Sequence, residues 1–516
     1  MTREAQVLSL VQTAGRASVG ALFTSIAKAH PDRTALVDGP RSLTYAELER
    51  RSNRLANGLL AQGIRPGERI AVLSRNRLEY FEWLLAAAKS GTILAALNWR
   101  LSAAELAHCV NLVAPRALVV AGELAAAGQA AAADVPRLIL EEDHERLMTG
   151  APDTPPELAV DPEEGLVILY TSGTTGLPKG ALISHRALIA RGLVYHYVMQ
   201  VPDRNHFVAW TPFYHMVAID HGLATLLAGG TLWCVDGFDM DALCPLIERL
   251  PMAWFVLVPG MVGAFNEEVR RRGLEPRGIG VIGAMPDLIP PEEIAEATRL
   301  LRAPFLNTFG STETGLPPGT GGRIPVGEVP TRLSKTQTPF CDLILVDPEG
   351  NEVPVGEPGE AAVAGPTLFS GYWQADEVNR RDFRGGRFHM GDVLRRNPDG
   401  TLDYVDRVKY LIKSGGENIY PAEVEAVLAA DPRIATAVVV RAPDPRWGEV
   451  PVAFVVRRDP ALSEEEVIAL CRDRLASYKR PKRVLFVAPE EIPRSTTGKI
   501  QRHLLEARLT GGGGGG

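Results

Sequence analysis

The sequence predicts an α/β protein: a large N-terminal domain of layered α/β subdomains that ends in a β-rich section, followed by a small α+β C-terminal domain. Three observations lead there. Short apolar runs alternate with helical segments from about residue 44 to about residue 327, the texture then changes to short strands broken by Pro/Gly turns, and a new helix–strand succession begins beyond Lys409. At 516 residues the chain is also too long for one compact core.

Thr44-Tyr-Ala-Glu47 reads as a capping box, and Leu48, Leu55, Leu59 and Leu60 then fall on one helical face that should end near Gly63. Residues 64–72 look like a turn feeding a buried strand, with an amphipathic helix over 78–88. Apolar runs at 117–120, 166–170, 231–235 and 255–258 continue the alternation. Past Gly327, residues 343–346, 360–364 and 401–405 read as short strands, with 347–350 and 397–400 as turns. The last unit should contain a helix at 421–429, strands at 435–440 and 452–456, and a helix at 463–475. The expected domains are therefore 1–408 and 409–510, with the six glycines of 511–516 as a flexible tail.

Composition narrows the function. A net charge of −7, from 55 basic and 62 acidic residues, excludes a dedicated nucleic-acid binder, which carries a basic face. Cys109, Cys234, Cys244, Cys341 and Cys471 are scattered and never fall at metal-ligand or redox spacing, so they read as free thiols in a reducing, cytoplasmic compartment. Residues 1–7 lack the features of a secretory signal, and the most apolar stretch, 83–97, is broken by Lys89, Ser90 and Gly91, so no integral membrane segment is expected.

The most informative segment is Tyr170-Thr-Ser-Gly-Thr-Thr-Gly-Leu-Pro-Lys-Gly180, placed directly after an apolar strand. Gly173 and Gly176 let backbone N–H groups turn inward, the hydroxyls of Thr171, Ser172, Thr174 and Thr175 add donors, and Lys179 adds positive charge, a combination suited to a triphosphate. It is not a Walker loop: Pro178 replaces the glycine before the lysine, and Gly180 stands where Ser or Thr is required.

The ordered string resembles the phosphate loop of the adenylate-forming superfamily, which comprises acyl-CoA synthetases, amino-acid adenylation domains and firefly-type luciferases. Further motifs follow in that family's order from about Ala21 to Arg502. Trp210-Thr-Pro-Phe-Tyr-His215 resembles the motif whose last residue borders the acyl pocket, and Met216 stands where amino-acid-activating relatives place a carboxylate, which disfavours an α-amino acid substrate. The nearby Asp220-His221 pair lacks a third spaced metal ligand and is read as a helix N-terminus without a role. Gly283-Ala284 and Asn307-Thr-Phe-Gly-Ser-Thr-Glu313 resemble the two segments that sandwich adenine, with Phe309 offering a stacking face, Gly310 and Ser311 close to the nucleotide, Thr312 a donor to the α-phosphate and Glu313 a hard oxygen ligand for Mg²⁺ together with Thr174.

The resemblance also implies that Asp392 holds the ribose hydroxyls beside Tyr404 and Arg407, that Lys409 is the hinge, and that Ser414-Gly-Gly-Glu417 forms the thioester face, where Gly415 and Gly416 let a pantetheine arm pass. Lys499 of the last motif is the implied catalytic lysine, with Thr312 and Glu313. The acyl pocket is expected to involve His215, Met216, Ile219, Gly260, Met261, Gly310, Thr314 and Gly315, with room for a fatty, aryl or bulky polycyclic acid. Departures from the family pattern are Asp406 for glycine, Tyr410 for an acidic residue, Phe309 for tyrosine, Met390 for threonine and Lys335-Thr-Gln337 for Gly-Arg-Pro.

The implied reaction uses ATP, Mg²⁺ and coenzyme A. The carboxylate attacks the α-phosphorus, pyrophosphate leaves, and the C-terminal domain, mobile about Lys409, then presents the thiol to acyl-AMP. A carrier protein's phosphopantetheine arm is an alternative acceptor, and luciferase-like oxidation or a non-catalytic nucleotide-binding homologue are rival readings. A monomer and a homodimer are equally compatible with the sequence.

Overall fold

The computed structural model describes residues 16–171, 177–202, 204–415, 417–472, 474–494 and 500–510. They form two compact units: the chain to Asp342 with Ala364–Gly386, and Leu343–Val363 with the chain from Arg387 onward.

The first unit carries two sheets. Six parallel strands, Thr34–Asp38, Thr231–Cys234, His206–Ala209, Met252–Phe255, Ile279–Ile282 and Phe305–Ser311, are closed at either edge by the antiparallel strands Arg41–Thr44 and Gly315–Ile324. In the second sheet, Arg137–Ile139, Ala117–Val120, Arg69–Leu73, Ile93–Ala96 and Gly165–Thr171 are parallel, and Lys179–Ser184 is antiparallel at the edge. Residues 255–258 do not form the expected strand; it runs Met252–Phe255, where pairing with the strand Ile279–Ile282 fixes the register, and Val256 and Leu257 lead out of it.

The capping box forms as expected: the Thr44 side chain accepts from the Glu47 N–H while the Glu47 carboxylate accepts from the Thr44 backbone, and the helix Tyr45–Ala61 buries Leu48, Leu55 and Leu59. The next helix, Leu78–Ser90, overturns the amphipathic reading, because all thirteen of its residues are buried. It meets strands of both sheets and two neighbouring helices. Its charged side chains are tolerated because each is paired: Glu82 with Arg51 and His144, Glu79 with Arg41 and Arg77, and Lys89 with Glu49 at 2.7 Å.

In the second unit, Pro358–Ala364, Arg387–Arg396 and Leu402–Arg407 pair antiparallel, with Asp342–Val346 at the sheet's edge. The expected turns close through Gly350 N–H to Asp347 O (3.1 Å) and Gly400 N–H to Asn397 O (2.9 Å). The remaining sheet centres on Gly448–Arg457, paired antiparallel with Ile434–Asp444 and parallel with Arg483–Phe486. The helix Pro421–Ala429 matches its expectation, whereas the one expected over 463–475 stops at Leu470. There the backbone tightens to three-residue spacing, with Arg472 N–H donating to Ala469 O at 2.9 Å. Among the described residues no helix is long and apolar enough to cross a membrane. All five cysteines are buried free thiols.

Candidate active site

The strand Ile279–Ile282 ends at Gly283, whose φ of +73° and position over the Phe305 ring admit no side chain: a Cβ would lie 2.0 Å from a ring carbon. The Gly283 carbonyl accepts from Trp254 Nε1 at 2.9 Å, and Ala284 N–H donates to Leu257 O at 3.0 Å. One residue further, Met285 N–H donates to Thr308 Oγ1 at 3.1 Å, which ties this turn to the strand Phe305–Ser311. Asn307 on that strand is buried; its amide donates to Ser334 O (2.9 Å) and its Oδ1 accepts from Lys335 Nζ (2.9 Å). Lys335, 1% exposed, also pairs with Asp287 at 2.7 Å, so the departure from Gly-Arg-Pro places a buried ammonium behind Asn307. Phe309, Gly310 and Ser311 lie half-buried at the strand's end.

Lys179 opens the strand that pairs with Gly165–Thr171, with Thr171 directly opposite it. Ser172, Gly173, Thr174, Thr175 and Gly176 lie outside the described residues. The Lys179 ammonium sits 3.9 Å from the Tyr372 ring centroid, and Tyr372 Oη donates to Glu313 Oε1 at 2.7 Å. The base of the phosphate loop and the Glu313 carboxylate are thus linked through one tyrosine.

Behind Thr312 and Glu313 stands a buried ion pair. Arg191 Nη2 donates to the carbonyls of Thr312 (3.1 Å) and Glu313 (3.0 Å), Nε donates to Thr367 O (2.9 Å), and Nη1 meets Asp220 Oδ2 at 3.2 Å. Both side chains are 2% exposed. Burial pushes the Asp220 carboxyl above the usual range, and the guanidinium opposes that shift. Asp220 lies inside the helix Met216–Leu227, so the role-free helix N-terminus assigned to Asp220-His221 is corrected. The missed partner, Arg191, gave no signal: an arginine midway along His185–Met199 normally faces solvent.

Of the residues expected to border the acyl pocket, Thr314 and Gly315 belong to the turn of Thr312 and Glu313. His215 is the exposed N-cap of Met216–Leu227; Met216 and Ile219 are buried. The Thr314 hydroxyl is spent internally, donating to Pro317 O at 2.6 Å and accepting from Ser311 N–H at 3.1 Å. Gly315, paired with Ser311 across the hairpin, packs against the Arg191 side chain, and a Cβ on Gly310 would lie 2.1 Å from the Gly315 carbonyl oxygen. Gly260 is exposed in the turn before Met261, the N-cap of Val262–Arg272.

In the second unit, Asp392 and Arg407 face each other across paired strands, with Oδ1 to Nε at 2.7 Å and Oδ2 to Nη2 at 3.2 Å. Asp392 is 2% exposed, Arg407 40%. Burial, with Asp392 alongside, raises the Tyr404 phenol well above its ordinary value. Asp406, the departure from glycine, accepts from Arg407 N–H (2.7 Å) and from Ala422 N–H (2.8 Å), and so caps the helix Pro421–Ala429. Lys409 lies in the single turn Val408–Tyr410, where desolvation and Arg407 lower its basicity. Ser414 and Glu417 pair across a hairpin. Its Gly415 has φ +59°, and a Cβ there would meet the exposed Trp447 ring at 2.7 Å. Gly416 and Lys499 lie outside the described residues. Arg502, three residues past Lys499, forks onto Glu425 and donates to Val439 O at 2.7 Å.

Among the described residues no three His, Cys, Asp or Glu side chains form a metal-binding cluster. Glu313 does fit a share in Mg²⁺ binding, since a half-buried carboxylate with one hydrogen bond to Oε1 retains lone pairs for a hard cation.

Residues 23–373 match the family described as AMP-binding enzyme, and residues 423–499 the AMP-binding enzyme C-terminal domain. A feruloyl-CoA synthase of Amycolatopsis sp is 36% identical over 94% of this chain and 97% of its own. A fatty acid–[acyl-carrier-protein] ligase, ScoC, of Streptomyces coeruleorubidus is 33% identical over 98% and 97%. Among solved structures, o-succinylbenzoate CoA synthetase from Bacillus subtilis with its acyl-adenylate intermediate superposes with a TM-score of 0.80 at 26% identity, covering 94% of this chain and 97% of that one. The chain therefore belongs to the AMP-binding enzyme family of adenylate-forming ligases.

Proposed function

We propose that the chain is an ATP-dependent acid–CoA ligase acting on an aryl carboxylic acid. The observation that carries this reading is the convergence on the Ser311–Gly315 turn of the Lys179–Tyr372–Glu313 link, the Arg191–Asp220 pair and the buried start of the helix Met216–Leu227. A carboxylate is a poor electrophile, so its oxygen first attacks the α-phosphorus of ATP, and the bond to pyrophosphate breaks. Thr312 donates to the phosphoryl oxygens, Lys499 supplies positive charge between the incoming carboxylate and the α-phosphate, and Asp392 and Arg407 hold the ribose. Glu313, with Thr174, would hold Mg²⁺, which would supply neutralisation of phosphate charge. The CoA thiolate then attacks the acyl carbon and AMP leaves, with the segment from 409 onward turning about Lys409 so that Gly415 and Gly416 flank the pantetheine arm. The aryl assignment draws support from the feruloyl-CoA synthase relative and from apolar Met216 and Ile219 beside His215.

The test is acid-dependent pyrophosphate release across aryl, fatty and polycyclic acids, with products weighed by mass spectrometry. Hydroxycinnamate-type acids should rank first; a preference for long-chain fatty acids refutes the aryl assignment. Lys499→Ala should nearly abolish pyrophosphate exchange yet leave thioester formation from supplied acyl-AMP largely intact, and equal loss of both half-reactions refutes its role. Similarity to ScoC favours one second reading, transfer to a carrier protein's phosphopantetheine, which the mass of the acylated acceptor distinguishes.

A further inference from the structure

Lys335 lies 48 positions beyond Asp287 and 28 beyond Asn307, yet its ammonium meets both. Nζ donates to Asp287 Oδ2 at 2.7 Å, to Asn307 Oδ1 at 2.9 Å and to Leu333 O at 2.7 Å, which gives each of its three protons an acceptor. Asp287 sits in the single turn Pro286–Leu288, directly after Gly283-Ala284-Met285. Asn307 stands two residues before Phe309 on the strand Phe305–Ser311. The lysine therefore joins the two segments that the family resemblance places on either side of adenine. A second tie, Met285 N–H to Thr308 Oγ1 at 3.1 Å, joins the same segments through neutral groups.

Glycines open the path of the lysine stem. Residues 336–338 run beside the strand Gly315–Ile324, with Gly321 N–H donating to Thr336 O at 3.2 Å and Thr338 N–H to Pro318 O at 2.7 Å. Gly319 of that strand stands opposite Phe309, and a Cβ on it would lie 3.2 Å from Lys335 Cβ and 3.4 Å from Phe309 Cβ. The stem thus passes the root of the Phe309 side chain before the ammonium reaches Asn307 and Asp287. An ammonium only donates, so it fixes which way the Asn307 amide points: Oδ1 faces Lys335, and Nδ2 donates to Ser334 O at 2.9 Å. With Lys335 1% exposed, water does not compete for these charge-assisted bonds.

We infer that Lys335 is a positioning residue for the nucleotide base. By holding Asp287 and Asn307 on one buried ammonium, it sets the separation and orientation of the two segments between which adenine stacks. This role rests on the adenylate-forming reaction proposed above. Lys335 acts through Asp287 and Asn307, so binding of the base depends on it and the phosphoryl chemistry at saturating ATP does not.

The test compares the full-length wild type with Lys335→Met, Lys335→Arg and Lys335→Met/Asp287→Asn. Calorimetric titration should give AMP and ATP affinities about tenfold weaker in Lys335→Met, by the same factor for both because the base is common to both. In acid-dependent pyrophosphate release, KM for ATP should rise by that factor, while KM for the acid and kcat at saturating ATP stay within about twofold. Lys335→Arg keeps the cation and should restore part of the affinity. The double variant removes the carboxylate left unpaired, so its denaturant melt should return toward the wild type while its nucleotide affinity stays low. Unchanged AMP affinity in Lys335→Met, or a double variant that regains affinity together with stability, would overturn the positioning role. If Lys335→Met yields little folded protein, Asp287→Asn alone, at a side chain 28% exposed, loosens one tie and should weaken AMP binding about threefold; undiminished affinity there is equally decisive against it. A wild type that releases no pyrophosphate with any acid refutes the adenylate-forming reading and this role with it, whereas an active wild type whose KM for ATP is matched by Lys335→Met refutes the positioning role alone.

Discussion

Each compact unit holds one arginine–aspartate pair among the residues described above, Arg191–Asp220 in the first and Arg407–Asp392 in the second, and they differ in what the arginine has left to offer. Arg191 and Asp220 are both 2% exposed, and the guanidinium also donates to three backbone carbonyls. Arg407 is 40% exposed while its partner Asp392 is 2% exposed. A guanidinium whose donors all face protein shapes a turn; one half in water can still meet a ligand. The first pair therefore sets the backbone that presents Thr312 and Glu313, and the second belongs to the proposed nucleotide contacts.

The largest effect should come from breaking the buried pair. Arg191→Met leaves Asp220 unpaired in the interior and should cost about 3–5 kcal/mol of stability, with adenylation lost, whereas Arg191→Met/Asp220→Leu should regain much of that stability. Denaturant melts of the three proteins check this, and equal stability of single and double variants contradicts the pairing argument. Breaking the other pair should leave the fold nearly intact: Asp392→Ala should weaken ATP binding about 10–100-fold, the cost of one or two charge-assisted hydrogen bonds. Unchanged ATP affinity in a calorimetric titration shows that the ribose contact is misassigned.

A neighbour of Asp220 sharpens the comparison through pH. His221 is buried between Tyr195 and Trp254, each ring centroid 4.6 Å away, and neither ring nitrogen has a hydrogen-bond partner among the described residues. Burial above all lowers its pKa from 6.5 to about 3. The unfolded chain thus binds a proton below 6.5 that the folded chain refuses, so stability is full above that pH and falls on acidification. From pH 6.5 to about 5 the loss should be on the order of 2 kcal/mol from this residue. His221→Phe should roughly halve the combined histidine slope of the chemical-denaturation profile over that window, because His185, lowered by burial to about 4, contributes a comparable loss there. An unchanged slope assigns the acid sensitivity elsewhere. The smallest effect is expected for Tyr372→Phe, which removes one hydrogen bond to Glu313 and keeps the ring under Lys179; adenylation should fall by about a factor of two to ten. Loss beyond a thousandfold in pyrophosphate exchange makes the hydroxyl part of the chemistry.

Local features were well predicted where the signal is short-range. The capping box at Thr44, the strand Ala117–Val120 and the helix Pro421–Ala429 depend on residues within a few positions of one another, and each was placed correctly. The helix Leu78–Ser90 was found but misread as amphipathic, because its charged residues look solvated until Arg51, Glu49 and Arg41 arrive from elsewhere in the chain. Asp406 looked like a departure from pattern until the fold brought the Ala422 N–H to it.

By itself the sequence determined the order of elements and the motif residues that make this chain an adenylate-forming ligase, since turn chemistry, periodicity and contiguous loops are written locally. Only the tertiary structure decided that Asp220 faces Arg191, that Tyr372 joins Lys179 to Glu313, and that Lys335 meets both Asp287 and Asn307. Those partners lie 28 or more positions apart in the chain. Packing brings them together, and no local pattern records it.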